Sequence, residues 1–373
     1  MEKVLLTTVF SGYNYGSSLQ ALATKTILKE LGYDCRLVAM KSLIKGRDIR
    51  INKLMTILIR SWLIRGKNGT NALSTYKGSY NKVMIGDSVT RFEKFTNEYL
   101  EPQYMSWNSM KRLAKECVAC FAGSDQIWNS STMYVDPMYY LRFAPAEKRI
   151  AFAPSFGRDF VAEYNKKKMS KWISEFACLS VREDSGIKLI KELTGRDAIH
   201  LIDPTLMVKG KTWKKILSLQ DKQGNYILTY FLDKPSESAR RAIAELKETL
   251  KCEVIAIPYQ FDDMGYCDKV VPTGPIEFLD LINNAKCVLT DSFHGTAFSI
   301  NLHTPFYVFG RNYGTAHSQN SRIESILKMM NMQDRFEPCH KLEEWDCVDF
   351  EYSENILTEE RKKSNKYIIE AIG

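Results

Sequence analysis

Residues 287–302 read Cys287-Val288-Leu289-Thr290-Asp291-Ser292-Phe293-His294-Gly295-Thr296-Ala297-Phe298-Ser299-Ile300-Asn301-Leu302. A four-residue apolar run, Cys287 to Thr290, leads straight into the polar turn Asp291-Ser292. Ala297, Phe298, Ile300 and Asn301 then continue as a helix. A short buried strand that turns at once into a helix is the unit of a parallel α/β sheet. In such sheets ligands bind beyond the carboxyl ends of the strands, where helix N-termini offer unpaired N–H groups to anions.

The same grammar extends in both directions. Downstream, Phe306 to Phe309 reads as a strand and Ser321 to Met330 as a helix. Upstream, Ile276 to Asn283 is a helix, Glu253 to Ile257 a strand, Ser236 to Leu250 a helix and Tyr226 to Leu232 a strand. The first half repeats the pattern. Its predicted strands are Val4 to Val9, Arg36 to Met40, Cys117 to Ala122, Arg149 to Ala153, Cys178 to Val181 and Ile199 to Ile202. Helices are predicted over Ser17 to Leu31 and Asp184 to Leu193. Alternating strands and helices imply parallel sheets. The two runs predict two doubly wound, Rossmann-like domains facing a cleft, residues 1–205 and 206–350. Residues 351–373 follow, with a last helix over Ser353 to Ile372.

A chain of 373 residues suits two to three domains. Hydrophobic residues at 45% and charged residues at 26% exclude collagen, coiled coil and wholesale disorder. Nine cysteines are too few for a disulfide scaffold and point to a reducing cytoplasm. The net charge of +8 is too small to imply nucleic acid. No window is apolar enough to span a membrane, and Val4 to Phe10 reads as a buried strand rather than a leader.

One segment departs from the pattern. Residues 41–82 hold ten Lys or Arg and a single acid, Asp48. Within it, Asn52, Lys53, Thr56 and Arg60 share one helical face of Ile51 to Ile64. Leu54, Ile57, Leu58 and Leu63 lie largely elsewhere. Two readings stand: a helix covering the first sheet with its basic face in water, or a basic amphipathic helix resting on an anionic membrane surface. The second would add peripheral contact at the cytoplasmic face of the membrane to a cytoplasmic location.

Polar residues and glycines gather just after the predicted strands: Asn14-Tyr15-Gly16-Ser17-Ser18, Gly123-Ser124-Asp125-Gln126, Ser155-Phe156-Gly157-Arg158, Arg182-Glu183-Asp184, Asp291 to Thr296, and Gly310-Arg311. This distribution suits an anion together with a polyhydroxylated partner. Histidine is the side chain most easily tuned for proton transfer near neutral pH, and His294 falls at a helix N-terminus. Asp291 or Ser292 could hold its tautomer. Ser321-Arg322-Ile323-Glu324 has capping-box spacing, which puts Arg322 in a first turn, where a bound anion would relieve its conflict with the helix dipole. Arg182 and Arg311 also follow strands. Tyr13, Tyr15, Trp128, Phe156 and Phe293 flank the same loops and could stack on a sugar. Cys117-Val-Ala-Cys120 has redox spacing but lies in a strand-like run, and the scattered histidines assemble no metal site from spacing.

These pieces together resemble the polysaccharide pyruvyl transferase family. The likeness is carried by Gly123-Ser124-Asp125-Gln126-Ile127-Trp128-Asn129, Ser155-Phe156-Gly157, Val181-Arg182-Glu183, Asp203-Pro204-Thr205-Leu206 and Thr290 to Thr296, in order over about 300 residues from Asn14 to the helix after Arg322. The resemblance implies a fold similar to the B-type glycosyltransferases, in which the last helix crosses back to the first domain. It also implies a reaction. Phosphoenolpyruvate, a co-substrate with no further cofactor or metal, gives its pyruvyl group to two hydroxyls of a hexose in a bacterial surface polysaccharide (a capsule or exopolysaccharide) or its lipid-linked precursor. A cyclic ketal forms and phosphate leaves. Where some relatives read Arg-Leu-His, this chain reads Ser292-Phe293-His294. The missing charge then comes from Arg311 or Arg322, or the donor differs.

On this reading His294 is the acid that protonates the methylene carbon of the donor. Asp125 is the base at the sugar hydroxyl, with Asp291 second. Arg182 with Arg322 or Arg311, and Ser292, hold the donor. Asn14, Tyr15, Gln126, Trp128 and Ser155 are the acceptor contacts. Two alternatives remain open. One is a nucleotide-sugar glycosyltransferase of similar fold, for which Glu277 or Asp280 would have to hold the nucleotide. The other is a family member that binds a partner without catalysis.

Overall fold

The computed structural model describes residues 1–42, 50–65, 85–258, 264–311, 321–338 and 342–373. Residues 43–49 and 66–84, which include much of the basic segment, lie outside the described residues, as does the Ser321 side chain of the expected capping box. The chain divides into two compact units. Unit 1 holds Met1–Asn81, Thr96–Pro204 and Lys362–Gly373, and unit 2 holds Lys82–Phe95 and Thr205–Arg361.

Unit 1 is built on strands β1 (Lys3–Thr7), β2 (Asp34–Met40), β3 (Gln103–Met105), β4 (Ala119–Ala122) and β5 (Arg149–Ala151). They form one parallel sheet in the order β3-β2-β1-β4-β5. Val4, Leu5 and Leu6 of β1 and all of β4 are buried, as the apolar runs require of a sheet covered on both faces. β6 (Ser180–Val181) and β7 (Ile199–His200) pair in parallel beyond β5, to which a bridge between Ile150 and Cys178 leads. Trp128, Tyr140, Phe143, Phe156 and Phe176 are among the aromatic residues of this unit's core.

Unit 2 repeats the plan. β8 (Tyr226–Tyr230), β9 (Glu253–Ala256), β10 (Lys269–Val270), β11 (Cys287–Thr290) and β12 (Phe306–Val308) lie parallel in the order β10-β9-β8-β11-β12. Both sheets therefore reverse direction of winding beside their first strand, between β1 and β4 and between β8 and β11. Loops that leave neighbouring strands at such a switch point diverge to opposite faces and open a crevice. The Asn14 and Ser124-Asp125 loops leave the first switch point, and the Asp291-Ser292 turn leaves the second.

Several elements differ from expectation. Helices Ser88–Phe95, Trp107–Glu116, Glu163–Ile173 and Gly210–Leu217 are not among the elements expected from the sequence, and β3 and β10 are only three and two residues long. The segment Lys82–Phe95 belongs to unit 2 although its neighbours in sequence belong to unit 1. Ser88 Oγ accepts from Thr273 N at 3.0 Å and Arg91 pairs with Glu277 at 2.9 Å. Cys117 closes the helix before β4 rather than opening the strand. Burial raises the pKa of both thiols, that of Cys120 to about 12, so the Cys-x-x-Cys spacing carries no reactive thiolate.

The helix Ile51–Arg65 also corrects one of its two sequence readings, that of a helix covering the first sheet with its basic face in water. Arg50, just before it, is buried and pairs with Asp136, with its guanidinium carbon 5.8 Å from the Tyr134 ring centroid. Arg60 donates to Asn165 Oδ1 at 3.0 Å. These cations satisfy buried acceptors in unit 1, and the helix turns an apolar face to solvent instead.

Candidate functional site

Each unit gathers polar side chains at the carboxyl ends of its central strands. In unit 1, Asn14 caps the helix Tyr15–Glu30, its Oδ1 accepting from Ser17 N at 3.1 Å. The cap fixes where the helix starts and so aims Ser17, whose Oγ donates to Asp125 Oδ2 at 2.5 Å. One turn on, Gln20 ties the two loops together. Its Oε1 accepts from Ser124 N at 3.1 Å, and its Nε2 donates to Thr8 Oγ1 and Val9 O, both at 2.8 Å. Asp125 adopts φ 61°, a left-handed conformation that Asp tolerates better than most residues, and its Oδ1 accepts from Gln126 N at 2.8 Å.

Behind Asp125 lies a buried charge network. Arg182 pairs with Asp203 and lies 3.9 Å from Asp125 Oδ1. Ser124 Oγ donates to Asp203 Oδ2 at 3.2 Å. Glu183 Oε1 accepts from Ser155 Oγ at 3.1 Å and from Phe156 N at 2.7 Å. Burial opposes the charge on Arg182, but Asp203, Asp125 and Glu183 more than offset it and raise its pKa. A guanidinium facing three carboxyl groups is not an anion receptor. The structure therefore corrects the donor-binding expectation for Arg182, which instead anchors the Asp125 loop.

Two acceptor expectations also change. Trp128 is wholly buried, stacked 5.7 Å from Tyr140 at an interplanar angle of 13°, with Nε1 donating to Tyr139 O at 3.1 Å. Its ring packs the core and offers no face to a sugar. Ser155 is buried and spends its hydroxyl on Glu183 and on accepting from Gly157 N at 3.0 Å. Tyr15 is buried, whereas Asn14 and Gln126 are partly exposed at the rim. Gly157, at φ 69°, lies so close to Gln126 that a Cβ would stand 2.8 Å from its Oε1. This glycine lets the two loops meet.

In unit 2, Ser292 caps the helix Phe293–Leu302, its Oγ accepting from Gly295 N at 3.3 Å. His294 lies in the first turn, and its ring meets that of Phe293 edge-on at 5.2 Å. Arg322 sets its guanidinium carbon 5.9 Å from the centroid of Phe293. Arg311 Nε donates to Asp291 O at 2.9 Å and lies 3.4 Å from Asp291 Oδ2. Two arginines, an imidazole and a helix N-terminus thus converge within unit 2. Both arginines that the sequence offered as substitutes for the missing charge reach this turn.

Asp291 is a clamp rather than an open base. Its Oδ1 accepts from Leu232 N at 2.7 Å and its Oδ2 from Asp233 N at 3.0 Å, which binds the loop after β8 to the turn after β11. Burial pushes its pKa up to about 6, against the pull of Arg311 and the two N–H donors. Glu277 and Asp280 have local roles. Glu277 pairs with Arg91 and accepts from Gly274 N at 2.9 Å, and Asp280 accepts from Asn284 Nδ2 at 3.2 Å.

Sequence reasoning missed the tethering roles of Ser17, Gln20 and Asp203. Gln20 lies two turns into a helix after a capping Asn, a spacing that could have marked it as facing the same loop. Asp203 sits in one of the quoted motifs, but its pairing with Arg182 spans 21 residues and leaves no local pattern.

A family model described as polysaccharide pyruvyl transferase matches residues 14–313. General stress protein 30 of Bacillus subtilis is 25% identical over 276 residues, covering 67% of this chain and 77% of that protein. Among solved structures, an α-glucosyltransferase in complex with UDP and a 13-mer DNA is similar over 98% of this chain and 94% of its own, at 8% identity and a TM-score of 0.50. A UDP-N-acetylglucosamine 2-epimerase from Rickettsia bellii matches over 100% of this chain and 97% of its own, at 10% identity and a TM-score of 0.47. At 8% identity the likeness to the glucosyltransferase is one of fold, the two-domain Rossmann-like fold of the B-type glycosyltransferases.

Proposed function

This chain belongs to the polysaccharide pyruvyl transferase family, and from that membership we propose that it moves a pyruvyl group from phosphoenolpyruvate onto two hydroxyls of a hexose in a surface polysaccharide or its lipid-linked precursor. The observation that carries the reading is the turn of unit 2, where Ser292 caps a helix bearing His294, Arg311 is held by Asp291, and Arg322 stands over Phe293. The donor carries a phosphate and a carboxylate. Guanidinium groups pair with both, and a helix N-terminus adds oriented N–H dipoles.

The proposed reaction uses these charges. His294 donates a proton to the methylene carbon of the enol, and an oxocarbenium-like centre develops at the adjacent carbon. A sugar hydroxyl adds there, forming the first C–O bond. Phosphate then leaves with its electron pair, and the second hydroxyl closes the ketal. One hydroxyl proton is taken by a carboxylate, and the other departs with phosphate. In unit 1 the carboxylate assigned to this step is Asp125, whose Oδ2 is already hydrogen-bonded to Ser17 and whose loop is braced by Gln20 and Arg182. A surround rich in carboxyl groups favours hydroxyl donors over anions.

Incubation with phosphoenolpyruvate and galactose- or mannose-terminated acceptors tests the proposal by mass detection of the ketal adduct. His294→Ala should lose turnover by roughly 10²- to 10⁴-fold. Arg311→Ala and Arg322→Ala should mainly weaken donor binding. No adduct from phosphoenolpyruvate, with turnover of a nucleotide sugar instead, would replace this reading with that of a glycosyltransferase.

A further inference from the structure

The helix Ile51–Arg65 presents to solvent a face that a water-exposed helix rarely carries. Ile51, Met55, Leu58, Ile59, Trp62 and Leu63 are each between 37% and 67% exposed. Ile51, Met55, Leu58, Ile59 and Trp62 recur at three- and four-residue spacing, which gathers them on one side. The opposite side carries Arg60, which bonds to Asn165 and reaches Met133 O at 3.4 Å, and the buried Ser61. Contacts of unit 1 therefore set the helix's rotation, and its apolar side faces outward as a result. A contiguous apolar strip of this kind marks a surface that is covered in use.

Charge decides the occupant. The helix contains no acidic residue, and with Arg50 and Arg60 committed to unit 1 the stretch 41–82 still holds eight Lys or Arg against Asp48 alone. Two copies meeting through this strip would bring two such cationic stretches together, and like charges oppose that. We propose that this face seats on an anionic lipid surface, with Met55, Ile59 and Trp62 entering the headgroup boundary and the net positive charge of the stretch favouring anionic over neutral lipid. An indole at the interface suits the arrangement, because its apolar body and N–H prefer that depth. The inference rests on this helix alone. A protein inactive toward phosphoenolpyruvate would still bind lipid, so the two readings fail separately.

Flotation of the full chain with vesicles tests it. The protein should float with vesicles of equal parts phosphatidylcholine and phosphatidylglycerol. Binding should fall by at least roughly tenfold with pure phosphatidylcholine or on raising the salt. The triple variant Met55→Ser, Ile59→Ser, Trp62→Ser should lose a similar factor with its melting temperature unchanged, since all three side chains are exposed. Should that variant melt early, brominated lipid supplies the second readout. It should quench a fluorescence component present in the parent and absent from Trp62→Ser. The proposal is overturned by a parent that stays with the soluble fraction, or by a triple variant that floats as well as the parent. It is equally overturned by a concentration-dependent dimer that the triple variant abolishes while vesicle binding is absent.

Discussion

Asp291 holds a carboxyl group where burial works against charge, and its pKa stands at about 6 in the folded chain, above the ordinary 3.8. The folded state thus keeps this proton over a range where the unfolded chain has released it. The stabilisation is present below about pH 4 and is lost as pH rises through about 6. Asp291→Asn retains an acceptor for one of the two loop N–H groups and removes the titration. The parent should therefore lose roughly 1–3 kcal/mol relative to Asp291→Asn between about pH 4 and pH 7. Chemical denaturation across that interval measures the difference, and parallel curves would remove Asp291 as its source. Arg182 teaches a related lesson at the same scale. Its sequence position after a strand looked like an anion site, and only its three carboxyl neighbours show that its charge is already committed.

At the scale of elements, the helix Phe293–Leu302 approaches β11 closely enough that Gly295 has no room for a side chain. A Cβ there would lie 2.6 Å from Thr290 Oγ1 and 3.1 Å from its Cγ2. Thr290 cannot yield easily, because its Oγ1 donates to Tyr230 O at 2.6 Å and accepts from Ser292 N at 3.0 Å. Gly295→Ala gains helix propensity of about 1 kcal/mol but must push the helix from the strand. Overpacking of that kind costs roughly 1–3 kcal/mol, so the variant should be net destabilised and its turn displaced. Urea unfolding gives the first quantity. Donor affinity gives the second, and a stabler protein with unchanged affinity would show the contact to be slack. In unit 1, Gly157 allows a similar approach between two loops.

At the scale of the whole molecule, the chain passes between its units more than once, and the last helix, Phe350–Ile372, takes part in both. Arg361 belongs to unit 2, donating to Leu206 O at 2.9 Å and Asn301 Oδ1 at 3.1 Å. Tyr367 belongs to unit 1, donating to Ala151 O at 2.7 Å, and Ile368 is buried there. Removing Lys362–Gly373 should cost unit 1 roughly 3–5 kcal/mol, the range for deleting a large buried side chain, while Arg361 keeps unit 2 intact. Hydrogen exchange should quicken in β1 and not in β8. Equal acceleration in both strands would mean that the two units share one stability. Among the described residues no helix is long and apolar enough to cross a membrane.

The sequence by itself determined the alternation of strands and helices, because buried parallel strands need unbroken apolar runs and their helices need caps and periodic faces. Those signals are local, and they placed β1, β4, β8 and β11 and the polar turns after them within a few residues. β3 and β10 escaped because two or three residues carry no period. The tertiary structure alone decided what each polar group faces. Trp128 and Ser155 were drawn into the core and its loop bonds, Arg182 was committed to Asp203, and Arg50 and Arg60 turned inward to leave an apolar strip in water. Such pairings join residues tens of positions apart, and their energies depend on distance in space, which no pattern along the chain records.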